Sequence, residues 1–189
     1  MTILGALMGF SLLSGAPMAF PSFANIPLAS SLPKYEVTLS AYNAVPAQTD
    51  NDPFVTASGI YSNPEIVAAR SQDLAKELPF GTIIEIEVPE IDLGNSCGFD
   101  IVEPIVGYRV IADTMNSRYT DYIDILFSTK SNYTNSNGAK KNASTILGVC
   151  DNSTVRVVGF INLKDLKRIP KTQEDLAAIV RGGKALAFK

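Results

Sequence analysis

Two aspartates offer the clearest chemistry in this chain. Asp113 and Asp124 stand eleven residues apart in the stretch VIADTMNSRYTDYIDILF, from Val110 to Phe127. Asp124 lies between Ile123 and Ile125 in an apolar run. Alternation along a strand puts Ile123, Ile125 and Phe127 on one face, and Asp124 on the other with Tyr122 and Leu126. A carboxylate there is costly to desolvate unless it is paired or opens to a cleft. Partial desolvation raises its pKa and makes it a candidate general acid near neutral pH. A strand-to-strand turn can bring Asp113 close, and a second negative charge raises one pKa further.

Plainer readings stand beside this one. Asp113 could begin a turn through an Asx-type hydrogen bond. Asp124 could form a structural ion pair with Arg109 or Arg118. A calcium loop does not fit. Twelve residues counted from Asp113 end at Asp124, but Met115 and Arg118 fall at positions three and six, where such a loop needs Asx and Gly.

Composition narrows the chemistry. The 189 residues contain no His, which removes Ser-His-Asp and Cys-His nucleophilic sites and His-based zinc sites. Acid–base work is left to carboxylates, Tyr or Lys. Two cysteines cannot make a four-thiolate metal site, and the reading calls for no metal and no cofactor. With 16 basic and 19 acidic residues the net charge is -3, and there is no basic run. That argues against nucleic acid as a partner.

The elements that must position the aspartates are mostly strands. Residues 35–42, 82–88, 107–113, 122–127 and 154–161 read as strands, the first two by clear alternation. A short helix is expected at Ser71–Leu78, stopped by Pro79. A second begins after Thr172, has Asp175 three residues on, and ends at Gly182-Gly183. Residues 130–145 are polar and read as an exposed loop. Asn132, Asn142 and Asn152 begin N-x-Ser/Thr triplets, which such composition produces by chance; no function is assigned to them. Many short strands with little helix predict a small, mainly β barrel.

The N-terminus has a different character. Residues 1–33 carry no charged side chain, and Ser22-Phe23-Ala24 suits a signal peptidase. Residues 1–24 are read as a signal peptide and 25–34 as a linker. Gly15, Pro17 and Pro21 interrupt a run already short of the roughly 20 apolar residues a membrane span needs. Any membrane attachment would run through an uncleaved leader. Export places the chain in the periplasm, the cell envelope or outside. Cys97 and Cys150, the only pair, are expected to form a disulfide there. Closing that loop would stabilise by about 3–4 kcal/mol.

Several short motifs follow one another in a suggestive order. They are Val37-Thr38-Leu39-Ser40-Ala41-Tyr42, Thr56-Ala57-Ser58-Gly59, Val67-Ala68-Ala69, Leu78-Pro79-Phe80-Gly81-Thr82, Ala112-Asp113-Thr114 and Ile123-Asp124-Ile125. Over residues 35–161 the chain resembles the 3D (Asp-Asp-Asp) domain, similar to membrane-bound lytic transglycosylase A and the stationary-phase muralytic proteins. The resemblance implies a six-stranded double-psi β-barrel over 35–170, with short helices, followed by a C-terminal helix and tail over 171–189. It implies a lytic transglycosylase acting on peptidoglycan glycan strands. Asp124 matches the catalytic acid and Asp113 the supporting aspartate. Tyr42, Thr56, Ser58 and Gly59 fall among the motifs as candidate substrate contacts. The family usually has Gly-Gly after Asp-Thr, where this chain has Met115-Asn116. The following Arg118 and Tyr119 could bind a muramic sugar, Arg by charge and Tyr by stacking; equally, Tyr119 could pack and Arg118 be solvated. The family's first aspartate aligns with Arg70, with Asp73 displaced nearby. A non-catalytic, expansin-like glycan-binding barrel and a structural envelope protein are the alternatives.

Overall fold

The computed structural model describes residues 32–49, 52–89, 97–134 and 136–182. The leader, most of the linker and the tail beyond residue 182 lie outside the described residues. The strands are β1 (Lys34–Asn43), β2 (Val67–Arg70), β3 (Thr82–Glu87), β4 (Arg109–Thr114), β5 (Tyr122–Phe127), β6 (Asn132–Thr134), β7 (Lys140–Asn142) and β8 (Cys150–Phe160). Six of them close a barrel in the order β1-β5-β2-β4-β3-β8, and β8 closes on β1. β1 pairs with β5 and β2 with β4 in parallel, while the remaining barrel contacts are antiparallel. β6 and β7 form a separate hairpin. The mainly β expectation holds, with a six-stranded barrel, short helices and a C-terminal helix.

The wall is covered on both faces, which is why its strands are rich in Val and Ile. Along β5, Ile123, Ile125 and Phe127 join one apolar cluster and Leu126 joins another. The first cluster also holds Phe99, Val102 and Val106 from α1 (Phe99–Val106) and Ala143 and Leu147 from α2 (Ala143–Leu147). The second holds Ile60, Ile66, Leu163, and Leu176 from α3 (Gln173–Arg181).

The C-terminal helix forms for the reason its sequence suggests. Thr172 accepts a hydrogen bond from the Asp175 N–H, and the Asp175 carboxylate accepts from the Thr172 N–H, a closed capping box. The other expected helix shrinks. Only Asp73–Ala75 is helical, as a single 3-10 turn. Leu74 and Leu78 are its apolar anchors, too few to hold a longer helix. The polar stretch 130–145 is not a bare loop. It contains the β6–β7 hairpin and the start of α2, whose first turn is capped by the Asn142 side chain accepting from the Ser144 N–H.

Cys97 and Cys150 are bonded, tying the segment before α1 to the first residue of β8. This fits an oxidising compartment. At the start of β3 the chain passes close to the end of β8. Gly81 has φ of 98°, donates to the Ile111 carbonyl and accepts from the Ile161 N–H. A Cβ there would collide with the Ile161 carbonyl, so no other residue fits this crossing.

Candidate functional site

The two aspartates meet through the strand between them. Ala69 of β2 is in register with Asp113 of β4 on one side and with Asp124 of β5 on the other. Ser40 of β1 is in register with Asp124. Asp113, Ala69, Asp124 and Ser40 therefore form one row across four neighbouring strands. Strand spacing puts the aspartate Cα atoms about 10 Å apart, bridged by a methyl group alone.

Both carboxylates are partly exposed, and each is held differently. Asp113 is well supplied with donors. Its Oδ1 accepts from the Ala57 and Thr114 N–H groups, each at 2.9 Å, and its Oδ2 from the Tyr42 hydroxyl at 2.9 Å. Among the described residues Asp124 accepts one side-chain hydrogen bond, from Ser40 Oγ to Oδ1 at 2.9 Å. Burial pushes the Asp124 carboxyl up to about 7, against the pull of the Ser40 bond, and the Asp113 charge adds to the rise. The ion pairs with Arg109 and Arg118 that the sequence left open do not form. The ion pairs among the described residues involve Lys34, Arg156 and Arg168. Arg109 instead donates to the carbonyls of Pro64, Ile105, Val106 and Leu126.

The other expected site residues divide into supports and surface groups. Tyr42 is buried. Its burial first, then the Asp113 charge and hydrogen bond, raise its pKa well above 10, so it stays a donor to Asp113. Thr56 is also buried; its hydroxyl meets Ser58 Oγ at 2.9 Å and donates to the Ile60 carbonyl. These two shape the site from beneath. Ser58 and Gly59 lie in a turn docked on β4 by the Ala57 bond and by the Ser58 N–H donating to the Ala112 carbonyl. Gly59 is exposed at φ of 85°, a left-handed turn position with open space beside it.

Arg118 and Tyr119 lie in the loop between β4 and β5. Tyr119 packs against Tyr122 with ring centroids 5.1 Å apart, and Arg118 is exposed above the Tyr119 ring at 4.9 Å. Each half of the packed-or-solvated alternative is thus partly realised. Arg70, at the position of the missing family aspartate, is a latch. It donates to the Leu78 and Ser71 carbonyls and stacks on Phe80 at 5.0 Å. Asp73 accepts from the Asp121 N–H and fixes the entry to β5.

Sequence reasoning missed two site residues, Ser40 and Tyr122. Ser40 is visible as a polar position of an alternating strand, but only the parallel β1–β5 pairing sets it beside Asp124. Tyr122 shares the Asp124 face by simple alternation. Among the described residues no group of three metal-ligating side chains comes together. The sequence matches no protein-family model and no curated protein.

Proposed function

We propose that this chain is an exported cell-wall enzyme that cleaves peptidoglycan glycan strands as a lytic transglycosylase, with Asp124 as its one general acid and base. The observation that carries the reading is the state of Asp124. It is partly exposed on the barrel wall, forms no ion pair among the described residues, and burial raises its carboxyl pKa to about 7. Such a group can both give and take a proton.

The reaction needs no more titrating groups than that. Asp124 gives its proton to the glycosidic oxygen as the bond from that oxygen to the anomeric carbon breaks. The 6-hydroxyl oxygen of the same sugar bonds to the anomeric carbon, and the Asp124 carboxylate takes the hydroxyl proton. The products are a new chain end with a free hydroxyl and a 1,6-anhydro end. An internal nucleophile removes the need for a second carboxylate to activate water. Asp113 then supports the site: tied to β1 by Tyr42 and to the 56–59 turn by Ala57, it supplies the negative charge that helps keep Asp124 protonated.

The family resemblance and the six-stranded barrel are consistent with this reading. The disulfide is consistent with export. The test is mass spectrometry of purified sacculi after incubation with the protein. Anhydro-muropeptides are the expected product, and unchanged sacculi would refute the reaction. A second reading, a non-catalytic glycan-binding barrel, draws on Phe54 and Tyr61, which are 59% and 64% exposed beside the 56–59 turn. It predicts retention on sacculi without product.

A further inference from the structure

The chain between β8 and α3 forms a basic loop with an apolar tip. Residues 162–171 hold four of the 16 basic side chains, Lys164, Lys167, Arg168 and Lys171, and one acid, Asp165. The chain as a whole is acidic, with a net charge of -3, so this loop departs from its own background. Leu166 lies in the middle of it. At 69% it is the most exposed large apolar side chain among the described residues.

The backbone is braced to hold that tip outward. The Asn162 side chain accepts from the Lys164 N–H at 3.0 Å, and the Asn162 carbonyl accepts from the Asp165 N–H at 3.2 Å. The Asp165 carbonyl accepts from the Arg168 N–H at 2.9 Å, and its carboxylate pairs with the Arg168 guanidinium at 3.2 Å. Leu163 and Pro170 are buried on either side of the tip. The Asn63 side chain donates to the Lys171 carbonyl at 2.7 Å. Two successive turns with anchored ends thus present Leu166 between Lys164 and Lys167.

None of the ion pairs among the described residues includes Lys164, Lys167 or Lys171. The nearby acids are engaged, Asp165 by Arg168 and Asp175 by the cap of α3. A soluble polyanion would use the lysines and leave Leu166 in water, where an apolar side chain gains nothing. A bilayer surface containing anionic lipid uses both. The ammonium groups meet the headgroup phosphates, and the leucine enters the acyl boundary beneath them. The lysine stems can bury along the same boundary while their charges stay among the headgroups.

We propose that the 162–171 loop docks the protein on a membrane surface containing anionic lipid, through Leu166 flanked by Lys164 and Lys167. This contact is separate from the leader, and it does not depend on the glycan-strand reading.

The test is co-sedimentation of the full chain with vesicles of phosphatidylglycerol and with vesicles of phosphatidylcholine. The leader carries no charged side chain and contributes to both alike, so the difference between the lipids reports the cations. Phosphatidylglycerol should be bound at least about 25-fold more tightly, about fivefold for each of the two lysines. Lys164→Gln with Lys167→Gln should remove most of that preference, and added salt should weaken it in the unmodified protein. Leu166→Ser should lower binding to phosphatidylglycerol about tenfold. Lys140→Gln with Lys141→Gln removes the same charge from the β6–β7 hairpin and should leave binding nearly unchanged. All of these side chains are exposed, and circular dichroism should match the unmodified protein throughout. Equal binding to the two lipids, no binding to either, a preference unaltered by the loop lysines, or an equal loss from the hairpin lysines overturns the proposal. Undiminished binding by Leu166→Ser overturns it too, and would make the loop a site for soluble polyanions.

Discussion

Two ionisable side chains of the barrel wall, Arg109 and Asp124, have been treated in opposite ways. Arg109 begins β4, has no exposed surface, and donates to four backbone carbonyls while lying over the Phe127 ring at 5.6 Å. Burial pulls its pKa down to about 9, against the field of Glu65, which still leaves it charged at pH 7. Asp124 sits in the middle of β5, reaches solvent, and has one hydroxyl for company. The first charge is fully satisfied and serves as a brace between α1, the 64–66 segment and β5. The second is under-satisfied and therefore free to change state. What separates architecture from chemistry in this wall is the number of partners, since both groups are largely desolvated.

The strongest way to break the comparison is to remove the proton. Asp124→Asn preserves the shape and the acceptor for Ser40 but cannot titrate. Anhydro-muropeptide formation from sacculi should fall by about 10²–10⁴-fold, the usual contribution of general acid–base catalysis. The barrel should remain folded by circular dichroism. Activity within a few-fold of the unmodified protein would show that the proton comes from elsewhere.

The matching experiment on the brace is Arg109→Met. Methionine fills much of the same volume but leaves four carbonyls without their donor. Removing the partner from a buried polar set costs about 3–5 kcal/mol. Denaturant unfolding should show a loss of that size. A loss below about 1 kcal/mol would mean that water replaces the guanidinium.

The two regions were unequally legible in the sequence. Asp124 stood out because an acidic residue flanked by isoleucines is locally conspicuous, and Asp113 because it closes the strand before it, eleven residues away. Arg109 was read only as a possible ion-pair partner, since the carbonyls that receive it come from residues 64, 105, 106 and 126, which folding alone gathers. The same divide runs through the fold. β1, β3 and β5 announced themselves by alternation, and α3 by its cap. β2 has four residues, all buried, and no alternation to read. α1 was hidden by Pro104, which forfeits a helical hydrogen bond, although Phe99, Val102 and Val106 have helical spacing. The first residues of β8 lie before the expected strand at 154–161, because Asp151 and Asn152 are weak strand formers, and Asn152 takes a positive φ of 55°. Local signals were visible; parallel pairing and backbone cages were not.

Stability against pH gives a third, smaller contrast. Asp124 has a folded pKa near 7, above the unfolded value of about 3.9. A raised folded pKa means the native state binds the proton more tightly. The associated stability is full below the unfolded pKa and is lost as pH rises from about 4 through about 7. Asn at this position is neutral throughout. Asp124→Asn should therefore be more stable than the unmodified protein at pH 8, by about 1–3 kcal/mol after allowance for its partial exposure. At pH 4 the two should converge. Parallel melting curves at pH 4 and pH 8 check this, and a variant less stable at pH 8 would restore the structural ion pair that the geometry rejects.

The smallest effect sharpens the comparison most, because it changes the number of partners by one. Ser40 Oγ donates to Asp124 Oδ1 and so favours the charged carboxylate. Without it, burial and the Asp113 field act unopposed, and the Asp124 pKa should rise further. A single such hydrogen bond is worth about 0.5–1.5 kcal/mol, or roughly half a unit to one unit. In Ser40→Ala, the Asp124 carboxyl carbon should titrate that much higher by NMR, and the pH profile of cleavage should shift upward with it. Ser40→Thr keeps a hydroxyl at the same strand position and should restore the original titration. Stability at pH 5 should hardly move, since the protonated acid needs the hydroxyl least. If the carboxyl titrates unchanged in Ser40→Ala, solvent rather than β1 sets the state of Asp124, and the row across the four strands is a matter of register alone.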